Sequence, residues 1–310
     1  MQHSKKLTNW VENKLGDKSM DTNIGLITAP TGKSGVKPVA NYLAIISKLS
    51  DPYIITGGGA KTLFENYGGI SSNGRVFFVD YPYESNILLK AVHYISGQLR
   101  YSYYVLRLNR DVDIWMFFFG GDRMILPMIA ARFLKKPVVL CVPGSAVISG
   151  RFSGDGPLIL KIAEILSKIV YHITTNIILY SSNHIAEWDL KPYRHKIRIA
   201  HRHFLDFTTF TVVTPLASRP PLIGYIGRLS EEKGVQHFAQ ALPTILRDRK
   251  DLQVLIGGDG KLKESIETSL QEEGVTARID LPGWISRDDL PNYLNQLRLL
   301  VLPSYTEGLP

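Results

Sequence analysis

Arg228 and Lys233 follow the apolar run Leu222–Ile226, and Glu307 follows the apolar run Leu299–Leu302. The first stretch reads Gly227-Arg228-Leu229-Ser230-Glu231-Glu232-Lys233-Gly234 and leads into a helical pattern. Gly227 lets a ligand approach the backbone. Arg228 offers a planar fork of donors and Lys233 a point charge, at a place where a helix N-terminus also favours anions. A diphosphate suits that set, with Glu231 and Glu232 reading as solvated. The second stretch, Pro303-Ser304-Tyr305-Thr306-Glu307-Gly308-Leu309-Pro310, brings a carboxylate and glycine backbone to the C-terminal edge of a strand. Open α/β sheets bind their ligands at that edge.

Other stretches fit familiar chemistry less well. Ala29–Gly35 contains Gly-Lys-Ser between a strand and a helix. A P-loop needs glycine, or loosely alanine, five positions before Gly32, and Ile27 stands there inside the strand. The turn reads instead as one whose Gly32 and Gly35 admit an acceptor or phosphate to the backbone. Gly57-Gly58-Gly59 and Gly258-Asp259-Gly260 each follow a strand, but Thr62 and Lys263 occupy the third small position of a dinucleotide fingerprint. Asp111-Val112-Asp113 precedes a strand where a metal-binding Asp-x-Asp would end one, so these read as surface carboxylates. His201-Arg202-His203 has neither cysteine nor paired carboxylates at ligand spacing and reads as a basic surface. No metal site is expected.

These turns need a scaffold of strands and crossover helices, and the chain supplies the alternation. Strands are predicted at Ile24–Ala29, Tyr53–Thr56, Val76–Val79, Ile114–Phe119, Val138–Val142 and Ile177–Ser181. Helices are predicted at Val36–Lys48, Glu84–Arg110, Arg123–Lys135 and Leu158–Val170. Met124, Ile125, Met128, Ile129 and Phe133 recur at helical spacing and read as core. Pro215, Ser218, Pro220 and Pro221 mark a linker over Thr211–Pro221. The alternation then restarts, with strands at Leu222–Ile226, Leu252–Ile256, Arg278–Leu281 and Leu299–Leu302. Helices follow at Gly234–Arg247, Lys261–Glu272 and Arg287–Leu297. The fold class is therefore α/β, with two doubly wound Rossmann-like parallel-sheet domains, residues 1–214 and 215–310, the second incomplete.

Bulk properties narrow the context. The net charge of +8 is uneven: residues 1–217 hold 25 Lys and Arg against 15 Asp and Glu, and residues 218–310 hold 11 against 13. A basic first half suits an anionic partner. The single cysteine, Cys141, cannot form an internal disulfide, which fits a reducing, cytoplasmic location. No apolar core of signal-peptide length follows the polar first 23 residues, so no signal peptide is expected. The stretch Leu158–Tyr180 is greasy, but Lys161, Glu164, Lys168 and His172 interrupt it. Burying such charges in a bilayer costs roughly 3 kcal/mol each, so a packed helix and strand are expected.

Gly-Arg-x4-Lys-Gly at 227–234, the turn Gly258-Asp259-Gly260, Leu281-Pro282-Gly283-Trp284 and Leu302-Pro303-Ser304 with Glu307-Gly308 occur in one order. That ordered set resembles the donor domain of GT-B retaining glycosyltransferases of the family 4 type, also called glycosyl transferases group 1. The specific match covers about residues 222–310, and the first half agrees in architecture. The resemblance implies two domains facing a cleft, the first binding acceptor and the second a nucleotide-diphosphate sugar, with no cofactor beyond that co-substrate. By similarity Arg228 and Lys233 grip the donor diphosphate, with Gly227 and Gly258 lining it. Glu307 is the catalytic carboxylate nearest the transferred sugar, and amides around Gly308 and Leu309 meet sugar or phosphate. The turn at Trp284 and Ile285 lies by the nucleobase. Fixed cations stabilise the charge left on the diphosphate, and a carboxylate steadies an oxocarbenium-like sugar.

The chain departs from that pattern in places. The second glutamate of the family's Glu-x7-Glu motif would fall at position 315, and the closing helix that packs back on the first domain is absent. Pro143 stands where the family usually places His before Gly144, and His203-Phe204-Leu205-Asp206 replaces an Asn-Gly-Val-Asp turn. A non-catalytic truncated remnant and a same-fold sugar-nucleotide epimerase therefore stand as alternatives. The acceptor would be a saccharide or a lipid-linked glycan, as in cell-envelope polysaccharide synthesis. The predicted helix Glu84–Arg110 mixes Lys90, Arg100, Arg107 and Arg110 with Tyr94, Tyr101, Tyr103 and Tyr104. It reads either as a crossover helix burying its tyrosines or as a contact with an anionic membrane surface at the inner face of the cell membrane. Nucleic acid is not an expected partner, since no recognised binding module is present.

Overall fold

The computed structural model describes residues 22–30, 33–47, 49–58, 75–80, 87–152, 154–200 and 209–307. They form two compact units. One holds the described residues up to Ser145 together with those from Lys161 to Ala200; the other holds Ala146–Leu160 and the described residues from 209 onward.

The first unit is built on seven parallel strands. They are β1 (Ile24–Thr28), β2 (Tyr53–Thr56), β3 (Val76–Phe78), β4 (Ile114–Phe118), β5 (Val138–Val142), β6 (Asn176–Leu179) and β7 (Ile197–Ile199). Their order, β3-β2-β1-β4-β5-β6-β7, reverses between β1 and β4. Every residue of β1 and β5 is buried, the pattern of strands covered on both faces by helices. Sequence sets the register locally: Gly25 pairs with Trp115, whose indole fills the space that a side chain at position 25 would need. Asp113 Oδ2 accepts from the Asn23 amide at 2.9 Å, so this carboxylate fastens the start of β4 beside β1.

The helices follow the apolar periodicity with instructive exceptions. Helices occupy Lys33–Ile46, Ile87–Arg107, Ile125–Phe133 and Pro157–Ile173. The predicted helix at 123–135 is shortened to Ile125–Phe133, and a 3₁₀ turn at Gly121–Arg123 precedes it. Met124 and Met128 are core residues, whereas Ile129 and Phe133 are 47% and 83% exposed. The short helices Ala146–Phe152 and His184–Glu187 and the strand β7 lack the strong periodicity that would announce them in the sequence. In the helix Ile87–Arg107, Tyr101 is fully buried and donates its hydroxyl to the Thr28 carbonyl at 2.9 Å. Tyr103 on the same helix is exposed, so its tyrosines divide between core and surface.

The second unit has four parallel strands: β8 (Leu222–Ile226), β9 (Gln253–Gly257), β10 (Ile279–Gly283) and β11 (Leu299–Leu300). Their order is β10-β9-β8-β11. The helix Val235–Asp248 buries Val235, Phe238, Leu242 and Leu246, spaced to lie on one face, against Tyr225, Val254 and Ile256. Each such side chain contributes about 1.5–3 kcal/mol on burial. The helix Lys263–Glu272 buries only Ile266 and Leu270, so the first of the two anchors the unit. The final strand is two residues long where four were predicted, although the Val301 amide still reaches the Gly224 carbonyl at 2.8 Å.

The proline-rich stretch predicted as a linker is pinned down. Asn295, in the helix Leu290–Gln296, accepts from the Val213 amide at 2.8 Å and donates to the Thr211 carbonyl at 2.9 Å. Arg219 donates to the carbonyls of Thr214, Leu294 and Leu297 at 3.0, 3.0 and 2.7 Å.

Candidate functional site

The strand order of the second unit reverses between β8 and β11, and the two charged stretches leave the sheet at the C-terminal ends of those neighbouring strands. Topology thus creates a crevice where two side-chain sets from distant parts of the chain meet.

Backbone contacts shape the crevice first. The Gly227 amide donates to the Gly257 carbonyl at 3.0 Å and the Leu229 amide to the Asp259 carbonyl at 2.9 Å. The Gly258 amide donates to the Gly283 carbonyl at 2.7 Å, which ties in the turn after β10. Gly258 has φ 140°, and a Cβ there would lie 1.8 Å from the Gly227 carbonyl oxygen. Only glycine lets these two turns lie this close. Gly234, at φ 65°, plays the same part on the other side, where a Cβ would lie 2.1 Å from the Pro303 carbonyl oxygen.

Lys233 and Glu307 then meet across that approach, with Nζ 2.7 Å from Oε1. The Tyr305 amide donates to the Glu232 carbonyl at 3.0 Å, so backbone and side chains fasten the same two segments. Arg228 leaves most of its guanidinium to solvent, while its Nη1 lies 3.3 Å from Oε1 of Glu232. Glu232 is buried, which corrects its reading as a solvated residue: it lies beneath Arg228 and orients it. Tyr225 donates its hydroxyl to the Arg228 carbonyl at 2.6 Å. Burial, and after it the negative charges of Glu307 and Glu232, push the Tyr225 phenol far above its ordinary range, so it remains a donor.

The remaining predicted residues are placed as follows. Ile285 packs over Gly257, its Cδ1 2.3 Å from where a Cβ there would stand, while Trp284 beside it is 72% exposed. Gly35 is buried in the first turns of the helix Lys33–Ile46, in the first unit. Gly32, Gly308, Leu309 and the stretches His201–His203 and 203–206 lie outside the described residues. Pro143 and Gly144 follow β5 directly. Among the described residues no group of three or more His, Cys, Asp or Glu could hold a metal ion.

Sequence reasoning missed several residues around the crevice. The ring of Tyr305 stacks on Phe152, with centroids 4.4 Å apart and planes 8° apart, and its hydroxyl bonds His237 Nε2. Ser230 Oγ, Gln236 Oε1 and Ser304 Oγ are buried without a hydrogen-bond partner among the described residues. Buried polar atoms are normally satisfied, and these three each lie three residues along the chain from Lys233 or Glu307. Ser230 and Ser304 lie inside the stretches quoted from the sequence, but no pattern there flags their burial, nor that of the Gln236 side-chain oxygen in the helix Val235–Asp248.

Comparison with known proteins bears on the family and the fold. Residues 206–310 match the family model for glycosyl transferases group 1. The chain is 34% identical over 89 residues to the 2-deoxystreptamine glucosyltransferase of Streptomyces kanamyceticus, covering 29% of this chain and 23% of that protein. It is 25% identical over 201 residues to the 2-deoxystreptamine N-acetyl-D-glucosaminyltransferase of Niallia circulans, covering 59% of this chain and 50% of that one. The chain therefore spans half or less of the length of these curated relatives. Among solved structures, Anabaena HepE, crystallised with UDP, superposes with a TM-score of 0.64 at 14% identity, covering 92% of this chain and 74% of that one. Residues 206–310 thus match the model of the glycosyl transferases group 1 family, and the chain has the GT-B fold of two Rossmann-like parallel sheets.

Proposed function

We propose that the protein is a glycosyltransferase that moves a sugar from a nucleotide-diphosphate donor to a saccharide or lipid-linked acceptor, with retention of configuration and without a metal. The observation that carries this reading is the Lys233–Glu307 pair, held beside Arg228 where the order of the second sheet reverses. Cations and a carboxylate stand together there, as breaking a glycosyl–phosphate bond requires. The bond from the anomeric carbon to the diphosphate oxygen breaks, its electron pair leaves on the diphosphate, the acceptor hydroxyl oxygen bonds to the anomeric carbon, and the hydroxyl proton passes to the departing diphosphate. Arg228 and Lys233 stabilise the negative charge that accumulates on the leaving group. Glu307 steadies the positive charge on the sugar. In this reading the donor phosphate competes with Glu307 for Lys233, so the ion pair holds the lysine in place until the donor arrives. The domain before residue 215 takes the acceptor, and the turn at Trp284 and Ile285 takes the base.

UDP is the first nucleotide to test, because the Anabaena protein was crystallised with it. The group 1 relatives include glycosyltransferases acting on 2-deoxystreptamine, which supports a sugar as the transferred group. A cytoplasmic location is part of the proposal and rests on Cys141, a free and buried thiol.

Calorimetric titration of UDP and of UDP-sugars checks the site. Removing one charge-assisted contact to a phosphate weakens binding by about 10- to 100-fold. Arg228→Ala and Lys233→Ala are each expected to fall in that range. Unchanged UDP affinity in both variants would remove the site assignment. Turnover of a UDP-sugar that needs no second saccharide would replace transfer by epimerisation, and binding without any turnover would favour the non-catalytic remnant.

A further inference from the structure

The helix Ile87–Arg107 presents an apolar stripe to solvent. Val92, Ile95, Leu99, Tyr103 and Leu106 are all exposed, and their spacings of three and four residues place them along one side. The opposite side does the packing: Tyr101 and Val105 are fully buried, and Gln98 donates to the Arg123 carbonyl at 2.7 Å. Between the stripe and the end of the edge strand β3 runs an open groove of about 790 Å³, walled by Phe78, Val79, Ile95, Leu99 and Tyr103, with Arg100 along it. Continuous apolar surface of this kind marks an interaction site.

Charge identifies the occupant. From Ile87 to Arg110 the chain carries Lys90, Arg100, Arg107 and Arg110 and no Asp or Glu. Arg100 and Arg107 are exposed, and neither forms an ion pair among the described residues. The helix Pro157–Ile173 also exposes apolar residues, among them Leu158 and Ile162, but its two lysines are both engaged by a glutamate of the same helix. Glu164 there sits 3.6 Å from Lys161 and 2.6 Å from Lys168. A second copy of the chain is a poor occupant for the stripe of Ile87–Arg107, because a symmetric contact would press Arg100 and Arg107 against their own counterparts.

We propose that this face docks on an anionic lipid bilayer, with the stripe inserted among the acyl chains and Arg100 and Arg107 against headgroup phosphates. No helix among the described residues is long and apolar enough to cross a membrane, so the attachment is by the surface. Docking stands independently of the glycosyltransferase reading, since neither the stripe nor the arginines belong to the crevice around Lys233 and Glu307.

The test is co-sedimentation of the full chain with large vesicles, either pure phosphatidylcholine or an equal mixture with phosphatidylglycerol, at low and high salt. The wild type is expected to sediment with the mixed vesicles at low salt and to remain in solution with the neutral ones. An arginine near an anionic surface strengthens partitioning about fivefold, so Arg100→Gln should lose about that factor. Leu99→Glu, which places a charge in the stripe, should lose about tenfold or more. Both positions are exposed, so both variants should melt as the wild type does, and a shared melting temperature separates lost docking from lost folding. Equal sedimentation with neutral and anionic vesicles, no sedimentation with either, or full retention of Leu99→Glu would overturn the proposal. So would a wild-type dimer in analytical ultracentrifugation that Leu99→Glu dissociates.

Discussion

Lys233 Nζ and Glu307 Oε1 lie 2.7 Å apart although 74 residues separate them along the chain. Their side chains are 23% and 27% exposed, between the open pairs that contribute almost nothing and buried pairs whose loss is costly. Reversal of the strand order at β8 and β11 makes the contact, and Gly234 lets the two segments close upon it.

A double-mutant cycle with Lys233→Met and Glu307→Gln measures that pair. Urea unfolding should yield a coupling of about 1 kcal/mol. The double variant should be more stable than the sum of the single losses predicts. A coupling within error of zero would mean that the contact is incidental to the loop's position.

Glycine substitutions separate close approach from mere backbone conformation. Gly258→Ala meets the Gly227 carbonyl at 1.8 Å and should cost roughly 3 kcal/mol or more, because two turns must separate. Gly274→Ala, also at positive φ (68°) but with nothing within 4 Å, should cost only about 1–2 kcal/mol. Chemical denaturation of the pair checks this; equal losses would show that contact with Gly227 is unimportant.

Cys141 makes stability fall at alkaline pH. Its thiol is fully buried and is pushed up to about 12, mainly by desolvation and against the opposing hydrogen bond with Tyr42 at 2.8 Å. The native state therefore keeps its proton through the range in which the unfolded chain loses it. This contribution is whole below about pH 8.5 and drains away as pH rises toward 12. Urea midpoints measured from pH 7 to pH 10 should decline less steeply for Cys141→Ala than for the wild type. An identical decline would show that the thiol has no part in it.

Arg219 clamps three carbonyls that belong to two separate segments. Arg219→Ala should destabilise the second unit by roughly 2 kcal/mol. Arg219→Lys should recover less than half of that, because an ammonium lacks the planar fork that spans separate acceptors. Thermal melting of both variants checks the order; a lysine variant as stable as wild type would mean that charge alone suffices.

Much of the architecture is legible without coordinates. Runs such as Val138–Val142 are apolar throughout, because strands of a parallel sheet covered by helices are wet on neither face; Leu222–Ile226 has the same pattern, although only Gly224 and Tyr225 in it are buried. The helices between them carry their apolar residues at helical spacing, because each buries one side. Hydrophobic pattern and turn chemistry therefore determined the α/β class and the positions of most elements, and glycine and charge spacing singled out Arg228, Lys233 and Glu307, of which the fold pairs Lys233 with Glu307. Other features depend on groups distant in sequence. The pinning of 211–221 needs Asn295 and Arg219, and the burial of Glu232 needs the loop carrying Tyr305 to close over it. The exposure of Leu99 beside the burial of Tyr101 depends on which side of one helix meets the sheet. Local pattern reports what each segment can bury; which neighbour covers it, and which charge it meets, is decided only when the strands order themselves, because those contacts join residues that the chain itself keeps far apart.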